Sequence, residues 1–342
     1  MVRKSIKKKS GIGVSVTLLI MVAIATVICS YIMNLGNRNI VKREYYDEIS
    51  PYSFFSKIKY YITGDRIISF SPSKTKLDFS VSTSFEGLHS PNAILIHLKD
   101  HAVIMEKKSE ERIYPASLTK MMTVIVAIEN LHDINEKVEL TNFMFQGLYE
   151  ANASMAGFQP GEQVRAIDLL YGVMLPSGAE CCIAIAEHIA GSERNFVKLM
   201  NQKAEELGMK NTHFENTTGL HNEKHYTTVK DLAVLLSYAL KNDTFREIFT
   251  TFRYSTPPTN RHPDGITFYS TMYERLGDQN IINGEILGGK TGYTDKAGLC
   301  LASLAKVDKQ EYILITAGAK GNHHSEQYNI TDALTVYNSI RR

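Results

Sequence analysis

Two residues of the segment PASLTKMM, at positions 115–122, could carry out nucleophilic chemistry. Ser117 offers a hydroxyl, and Lys120, three residues later, offers an amine on the same face of a helix. The apolar run that follows predicts a helix inside a domain, which would bury Lys120 near its start. Burial disfavours the charged ammonium, so the lysine becomes a candidate base for the serine hydroxyl. Composition alone produces Ser-x-x-Lys roughly once or twice in a chain of this length, so the pair needs companions.

Two later segments supply such companions. The segment PSGAE, residues 176–180, places Ser177 in a Pro/Gly turn between two predicted helices. The segment GGKTGYT, residues 288–294, places Lys290 and Thr291 on a predicted strand that begins with glycines. If the fold brings these residues to Ser117, one cleft would hold two hydroxyls and two lysines around a nucleophile.

The three segments, in this order, resemble the signature of the serine penicillin-recognising enzymes, which is Ser-x-x-Lys, Ser-x-Asn and Lys-Thr-Gly. Within that superfamily the chain is most similar to the low-molecular-weight D-alanyl-D-alanine carboxypeptidases. The similarity extends over residues 92–320 and includes the flanking segments AIDLLYGVMLPSGAE and FVKLMNQKAEELGMKNTHFENTTGLH. Each triplet alone is weak evidence, whereas three in order within such flanks are specific.

The resemblance implies a reaction and a role for each motif residue. Ser117 would attack the carbonyl between the two terminal D-alanines of a peptidoglycan stem peptide, form an acyl-enzyme and release the last D-alanine. Lys120 would be the base, kept neutral by burial and by the nearby positive Lys290. Ser177 would relay a proton to the leaving amine. β-Lactams, which mimic the terminal dipeptide, would acylate Ser117.

The resemblance also implies how substrate is held. The backbone N–H groups of Ser117 and Tyr293 would form an oxyanion hole. The substrate would add as a strand beside the Lys290-Thr291-Gly292 motif, with its carboxylate near Lys290 and Thr291. Arg275 matches a basic position in some members and is a second candidate for the carboxylate. The alternative for Arg275 is a plain surface arginine.

One position departs from the family pattern, because Ala179 stands where the middle motif usually has Asn. A lost hydrogen bond of this kind is worth roughly 0.5–1.5 kcal/mol, or about tenfold in rate, which would tune an enzyme more readily than abolish it. Three alternatives stay open: a catalytically weak or silent module that binds D-Ala-D-Ala or β-lactams, a β-lactamase, and a structural wall protein. The β-lactamase is disfavoured because no Glu-x-x-Leu-Asn follows Ser177.

The N-terminal residues predict a membrane anchor. The segment MVRKSIKKK is basic, and residues 10–37 carry no charge, which is long enough to cross a hydrocarbon core of ~30 Å. The basic flank predicts a cytoplasmic N-terminus, and the family resemblance implies that the membrane is that of a bacterial cell. A cleaved signal peptide is the competing interpretation. The predicted organisation is an anchor over residues 1–37, a stalk over 38–90 and an extracytoplasmic catalytic domain over 91–342.

The elements that position the motifs predict an α+β domain with a β-lactamase-like fold. NAILIHL and HAVIMEK predict a β-hairpin, residues 115–245 are mainly helical, and strands return after residue 285 before a last helix. An antiparallel sheet formed by both ends of the chain, flanked by helices and with a helical subdomain, accounts for this order. The segment SPSKTKLDFSVSTSFEG, residues 71–87, predicts a flexible linker.

Composition limits the remaining classes of function. The net charge of +2 gives no reason to expect nucleic-acid binding. The four cysteines are predicted to be small buried hydrophobes. His221 and His225 lack a third ligand, and with His323 and His324 they are predicted to lie in loops. No metal or cofactor is expected, and both wall maturation and a role in antibiotic resistance stay open.

Overall fold

A computed structural model describes residues 71–72, 80–81 and 87–341 of the 342-residue chain. The predicted anchor and most of the predicted stalk lie outside these residues. Among the residues that are described, no helix combines the length and the apolar character that crossing a bilayer requires.

The strands of the main sheet come from both ends of the described chain, and the described residues contain thirteen strands in all. They are β1 (Ser71–Pro72), β2 (Ser80–Val81), β3 (Asn92–His97), β4 (Ala102–Lys107), β5 (Lys137–Glu139), β6 (Gln163–Arg165), β7 (Arg253–Ser255), β8 (Thr267–Tyr269), β9 (Asn280–Ile281), β10 (Gly284–Thr294), β11 (Gly298–Val307), β12 (Gln310–Ala319) and β13 (Ile340–Arg341). Seven of them form the main sheet in the order β1-β4-β3-β12-β11-β10-β9. β3 lies against β12 with Ile94 opposite Ile315, so the front hairpin and the final three-stranded meander share one sheet, as predicted.

The sheet is mixed, whereas the prediction was antiparallel throughout. β1 pairs with β4 in parallel over two residues, with Ser71 opposite Ala102. Pro72 lacks a backbone donor, and an edge strand tolerates this loss. The predicted linker therefore contributes two short paired segments, because β2 also pairs with β13 at the other end of the chain. Local composition could not reveal partners so distant in sequence.

The helices mostly match the predicted helical segments. They are α1 (Thr119–Asn130), α2 (Ala166–Met174), α3 (Ala179–Ala190), α4 (Glu193–Glu206), α5 (Val229–Ala239), α6 (Asp243–Thr250), α7 (Tyr273–Leu276) and α8 (Tyr328–Ser339). Residues 119–127 of α1 are all buried, which confirms a helix inside the domain. Gly208, just after α4, has φ +74°, the left-handed conformation expected after a helix end. The short helix α6 and the β7–β8 hairpin were not predicted.

The sheet separates two hydrophobic cores, and this explains why every residue of β3 is buried. Ile94 and Ile96 face the larger core, which contains α1 and the other helices of the middle of the chain. Ala93 and Leu95 alternate with them and face the smaller core around α8. The larger core holds α1, and with it the Ser117 segment, against the sheet.

Candidate active site

Ser117 lies in a short 3-10 turn, Ala116–Leu118, that leads directly into α1. Ala116 has φ +47°, an unfavourable conformation for a residue with a side chain, which marks strain beside the candidate nucleophile. Lys120 follows in the first turn of α1, and its Nζ lies 3.2 Å from Ser117 Oγ. The two side chains are therefore in contact, although the serine precedes the regular helix.

A second contact fixes the lysine. Lys120 Nζ donates to the backbone carbonyl of Thr218 at 2.5 Å. That segment is held by Asn216, whose Oδ1 accepts from the backbone N–H of Gly219 at 2.7 Å and of Thr218 at 3.2 Å. Sequence reasoning missed Thr218, and the Asn-x-x-Gly turn in NTTGL was the available signal.

Both lysines of the motifs are buried, with Lys120 3% and Lys290 1% exposed. Burial is the main reason that the pKa of Lys120 is lowered, while the nearby Glu180 opposes the shift. Burial also lowers the pKa of Lys290 well below its usual range, and the neighbouring Lys120 lowers it further. Desolvation thus accounts for the lowered pKa of Lys120, and the predicted contribution of Lys290 is not among its causes.

Ser177 occupies a strained turn between α2 and α3. Its φ is +68°, and its buried Oγ makes no hydrogen bond to any described residue. Gly178 donates its N–H to the carbonyl of Gly172 at 2.8 Å, which closes the turn. A Cβ added at Gly178 would lie 2.7 Å from Ala156 Cβ, so the turn requires glycine there. The turn directs Ser177 into the same cleft as Ser117.

Strand β10 passes directly beside the nucleophile. A Cβ added at Gly292 would lie 3.1 Å from the Ser117 nitrogen and 3.2 Å from the Pro115 carbonyl oxygen, so glycine permits this close approach. Thr291 and Tyr293, on either side of Gly292, line the cleft. Tyr293 follows Gly292 directly in the chain, so its backbone begins next to this close approach.

The cleft has a volume of about 240 Å³ and contains most of the predicted site residues. The predicted residues that line it are Ser117, Lys120, Ser177, Arg275, Thr291, Gly292 and Tyr293. Lys290 lies behind this surface, and its Nζ donates to the carbonyl of Thr291 at 3.1 Å. Predicted residues separated by up to 176 positions in the sequence, from Ser117 to Tyr293, therefore line one cleft.

Arg275 lies in the cleft and is not a plain surface residue. Its Nη1 donates to Gln327 Oε1 at 2.9 Å, and its Nη2 donates to His323 Nδ1 at 3.1 Å. The His323 ring also packs edge-on against Tyr293, with ring centroids 4.8 Å apart. His323 lies in an exposed loop, as predicted, and this loop also lines the cleft, which was not predicted.

Several further cleft residues were not predicted. They come from the loop before β6, from the segment after α4 and from the turn after β8, and they are Asn152, Ser154, Thr218, Leu220 and Thr271. Thr271 Oγ1 lies 2.7 Å from Thr291 Oγ1, so a second hydroxyl stands beside the motif threonine. Ala179 also lines the cleft, and its backbone N–H donates to the carbonyl of Ser154 at 2.8 Å.

The other histidines and the cysteines have structural surroundings. His225 is buried, accepts from the Glu215 N–H at 3.2 Å and contacts Thr119 Oγ1 at 2.8 Å, so its proton is assigned to Nε2. Burial lowers its pKa to about 4. No group of three potential His, Cys, Asp or Glu metal ligands occurs in the part of the chain that the structure covers. Cys181, Cys182 and Cys300 are buried free thiols, as predicted, and Cys29 lies outside the described residues.

Comparison with known proteins identifies the family. Residues 79–321 match the model of the D-alanyl-D-alanine carboxypeptidase family of peptidases. The chain belongs to this family. Its members include D-alanyl-D-alanine carboxypeptidase DacF of Bacillus subtilis, which is 34% identical over 263 residues, covering 75% of this chain and 64% of the relative. D-alanyl-D-alanine carboxypeptidase DacC of Escherichia coli is 33% identical over 242 residues, covering 66% of this chain and 56% of the relative.

Solved structures of related enzymes share the fold. The crystal structure of the Streptomyces K15 DD-transpeptidase matches with a TM-score of 0.66 and 25% identity, over 75% of this chain and 98% of that one. A D-alanyl-D-alanine carboxypeptidase from Mycobacterium tuberculosis matches in fold, with a TM-score of 0.64 and 23% identity, over 75% of this chain and 94% of that one. The chain spans about three fifths of the length of the curated D-alanyl-D-alanine carboxypeptidases that it matches.

Proposed function

We propose that the protein is a serine D-alanyl-D-alanine carboxypeptidase that removes the terminal D-alanine from peptidoglycan stem peptides. One observation carries the proposal: the Ser117 hydroxyl lies 3.2 Å from the amine of a buried lysine whose pKa is lowered by that burial. A neutral amine in hydrogen-bonding range of a serine is the arrangement that activates the hydroxyl as a nucleophile. The family membership of the chain supports the same reaction.

Acylation follows from the geometry of the cleft. Lys120 Nζ takes the proton of Ser117 Oγ as this oxygen bonds to the carbonyl carbon between the two D-alanines. The negative charge that develops on the carbonyl oxygen is stabilised by the backbone N–H groups of Ser117 and Tyr293. The amide bond then breaks, and the proton on Lys120 Nζ passes through the Ser177 hydroxyl to the leaving nitrogen, which leaves Lys120 neutral again. D-Alanine departs and the remainder of the peptide stays bound to Ser117 as an ester.

Deacylation restores the enzyme with one water molecule. Lys120 takes a proton from the water, whose oxygen attacks the ester carbonyl carbon, and the bond to Ser117 Oγ breaks as this oxygen regains a proton. The shortened peptide leaves with a new carboxylate. β-Lactams would acylate Ser117 in the same way, which makes them covalent inhibitors.

The substrate carboxylate fits the side of the cleft that carries hydroxyl and cationic groups. Thr291 and Thr271 offer adjacent hydroxyls, and Arg275 offers a guanidinium whose donors already engage His323 and Gln327. Charge-assisted hydrogen bonds to a carboxylate are among the stronger polar contacts. Lys290 adds positive potential from behind Thr291 whenever it is protonated.

The activity test is release of D-alanine from diacetyl-L-Lys-D-Ala-D-Ala by the purified protein, beside Ser117→Ala. The carboxypeptidase releases D-alanine, and the variant does not. Labelling of Ser117 by a fluorescent penicillin without any D-alanine release would support the silent binding module, the alternative that Ala179 leaves open. Rapid turnover of penicillin would support the β-lactamase.

We propose further that residues 1–37 anchor the protein in the bacterial cell membrane, with the catalytic domain outside. The basic residues before an uncharged segment support this orientation. Protease added to intact spheroplasts should then digest the catalytic domain, and full protection would contradict the orientation. A location outside the membrane gives access to wall precursors, and the same reaction removes the D-alanine that glycopeptide antibiotics bind.

A further inference from the structure

A second cavity adjoins the catalytic cleft. It has a volume of about 520 Å³ and is lined by the segment around the 3-10 turn Asn142–Phe145, by α3, by the start of α4 and by residues 216–220. Thr218 and Leu220 line both this groove and the cleft. The two spaces therefore share Thr218, the residue whose carbonyl holds Lys120, as part of their walls.

One side of the groove is apolar and open to solvent. Phe143 is 61% exposed, and it lines the groove together with Leu148 and Ile183. An exposed aromatic ring beside other apolar side chains is typical of a surface that contacts a ligand. The aliphatic part of a bound chain would cover this surface and gain from the removal of apolar area from water.

The other side of the groove carries acidic groups. Glu187 and Glu193 line it with the exposed Arg194, giving a net charge of −1, and none of the three forms an ion pair with a described residue. Glu193 Oε1 accepts from the N–H and the Oγ1 of Thr217, at 2.8 and 2.7 Å. Glu187 Oε1 accepts from the Glu193 N–H at 3.3 Å, so each carboxylate keeps one oxygen for a ligand.

We propose that this groove binds the part of the stem peptide that precedes the terminal D-Ala-D-Ala, and that it selects a side chain ending in a protonated amine. The inference rests on the proposed function. With the terminal carboxylate toward Arg275 and the reacting carbonyl at Ser117, the upstream chain leaves past Thr218 and Leu220 into the groove. A long aliphatic side chain packs on Phe143 and Leu148, and its amine reaches Glu187.

The test compares two substrates that differ by one acetyl group on the side-chain amine. They are Nα-acetyl-L-Lys-D-Ala-D-Ala and its Nε-acetylated form. We expect kcat/KM for the free amine to be about tenfold higher, because an ion pair in a partly desolvated groove is worth roughly a factor of ten. In Glu187→Gln the ratio of the two kcat/KM values should fall to about one. Glu205→Gln, on the exposed side of α4, is the matched control and should keep the wild-type ratio.

A second variant tests the apolar side. Phe143→Ala, at a position that is 61% exposed, should lower kcat/KM for the lysine substrate several-fold relative to the short substrate N-acetyl-D-Ala-D-Ala. If the wild type released D-alanine from both substrates with equal kcat/KM, the proposed role of the groove would be overturned. The proposed carboxypeptidase function would remain intact. Absence of release from all three substrates would overturn the function, and the groove with it.

Discussion

Two sets of residues build the cleft, and they differ in how the sequence encodes them. The motif set comprises Ser117, Lys120, Ser177 and residues 290–293, and the loop set comprises Asn152, Ser154, Thr218, Leu220 and His323. The motif set comes from short segments whose spacing dictates the contact, such as the helical interval between Ser117 and Lys120. The loop set reaches the cleft only through contacts between distant segments. The bond-making steps thus depend on the motif set. The position of Lys120 and the path of the bound substrate depend on the loop set.

The sharpest way to test the motif set is to remove the base. In Lys120→Gln the amide cannot accept the serine proton, so kcat/KM for D-alanine release should fall by about 10³-fold. Release kinetics with a Lys-D-Ala-D-Ala peptide measure this, and Lys210→Gln, an exposed lysine after α4, is the control. A loss of less than tenfold in Lys120→Gln would show that another group takes the proton.

His225 joins the two sets, because it ties the segment that carries Thr218 to Thr119 at the start of α1. Its pKa is about 4 in the folded protein, against about 6.5 in the unfolded chain, because burial disfavours the cation. As the pH falls below 6.5 the unfolded chain binds a proton that the folded protein does not, so stability declines down to about pH 4. Protonation of His225 in the unfolded chain should therefore lower the free energy of unfolding by about 3 kcal/mol.

Urea unfolding at pH 7 and pH 4 measures this loss. The side chain in His225→Gln keeps a donor and an acceptor but does not titrate. Between pH 7 and pH 4, the free energy of unfolding of this variant should therefore fall by about 3 kcal/mol less than that of the wild type. Identical losses in the two proteins would show that His225 is not kept neutral by the fold.

The loop set can be tested at Asn216, whose side chain fixes the Thr218 segment. Asn216→Ala removes the acceptor for the N–H groups of Thr218 and Gly219, and this should displace the carbonyl that binds Lys120. We expect kcat to fall about tenfold and the pH dependence of kcat to shift, since the lysine would lose a partner. Asn216→Asp keeps the acceptor oxygen and should recover most of the activity. An unchanged pH profile in Asn216→Ala would argue for a merely structural role.

The smallest expected effect concerns Ala179, which stands where the middle motif of the family usually has Asn. Ala179→Asn places an amide in the cleft beside the Ser177 turn, where it can bond a peptide carbonyl of the substrate. The gain in kcat/KM should be at most about tenfold, the value of one hydrogen bond. Steady-state D-alanine release measures it. A loss of activity would indicate that Ser154, whose carbonyl accepts from residue 179, depends on the small side chain.

The sequence predicted the elements in which local rules are decisive. The helical interval predicted the contact of Ser117 with Lys120, and two short apolar runs separated by Lys99 and Asp100 predicted the β3–β4 hairpin. These features depend on residues within about one turn or one strand of each other.

The missed features depend on partners far along the chain. Thr218 enters the cleft because its carbonyl binds Lys120 of α1, which lies 98 residues earlier in the sequence. His323 enters because its ring meets Arg275 and Tyr293 from other elements. β1 pairs with β4 of the main sheet, and β2 pairs with the C-terminal strand β13. The residues of both segments by themselves favour a linker. Tertiary contacts decided these placements, and no local pattern records them.

The most direct test of the account is to locate the acyl group. The purified protein is incubated with a slowly released penicillin, digested and sequenced by tandem mass spectrometry, beside Ser117→Ala. The account predicts one adduct, on the serine of the peptide containing PASLTK, and none in the variant. An adduct on any other residue, or labelling that persists in Ser117→Ala, would contradict the assignment of Ser117 as the nucleophile.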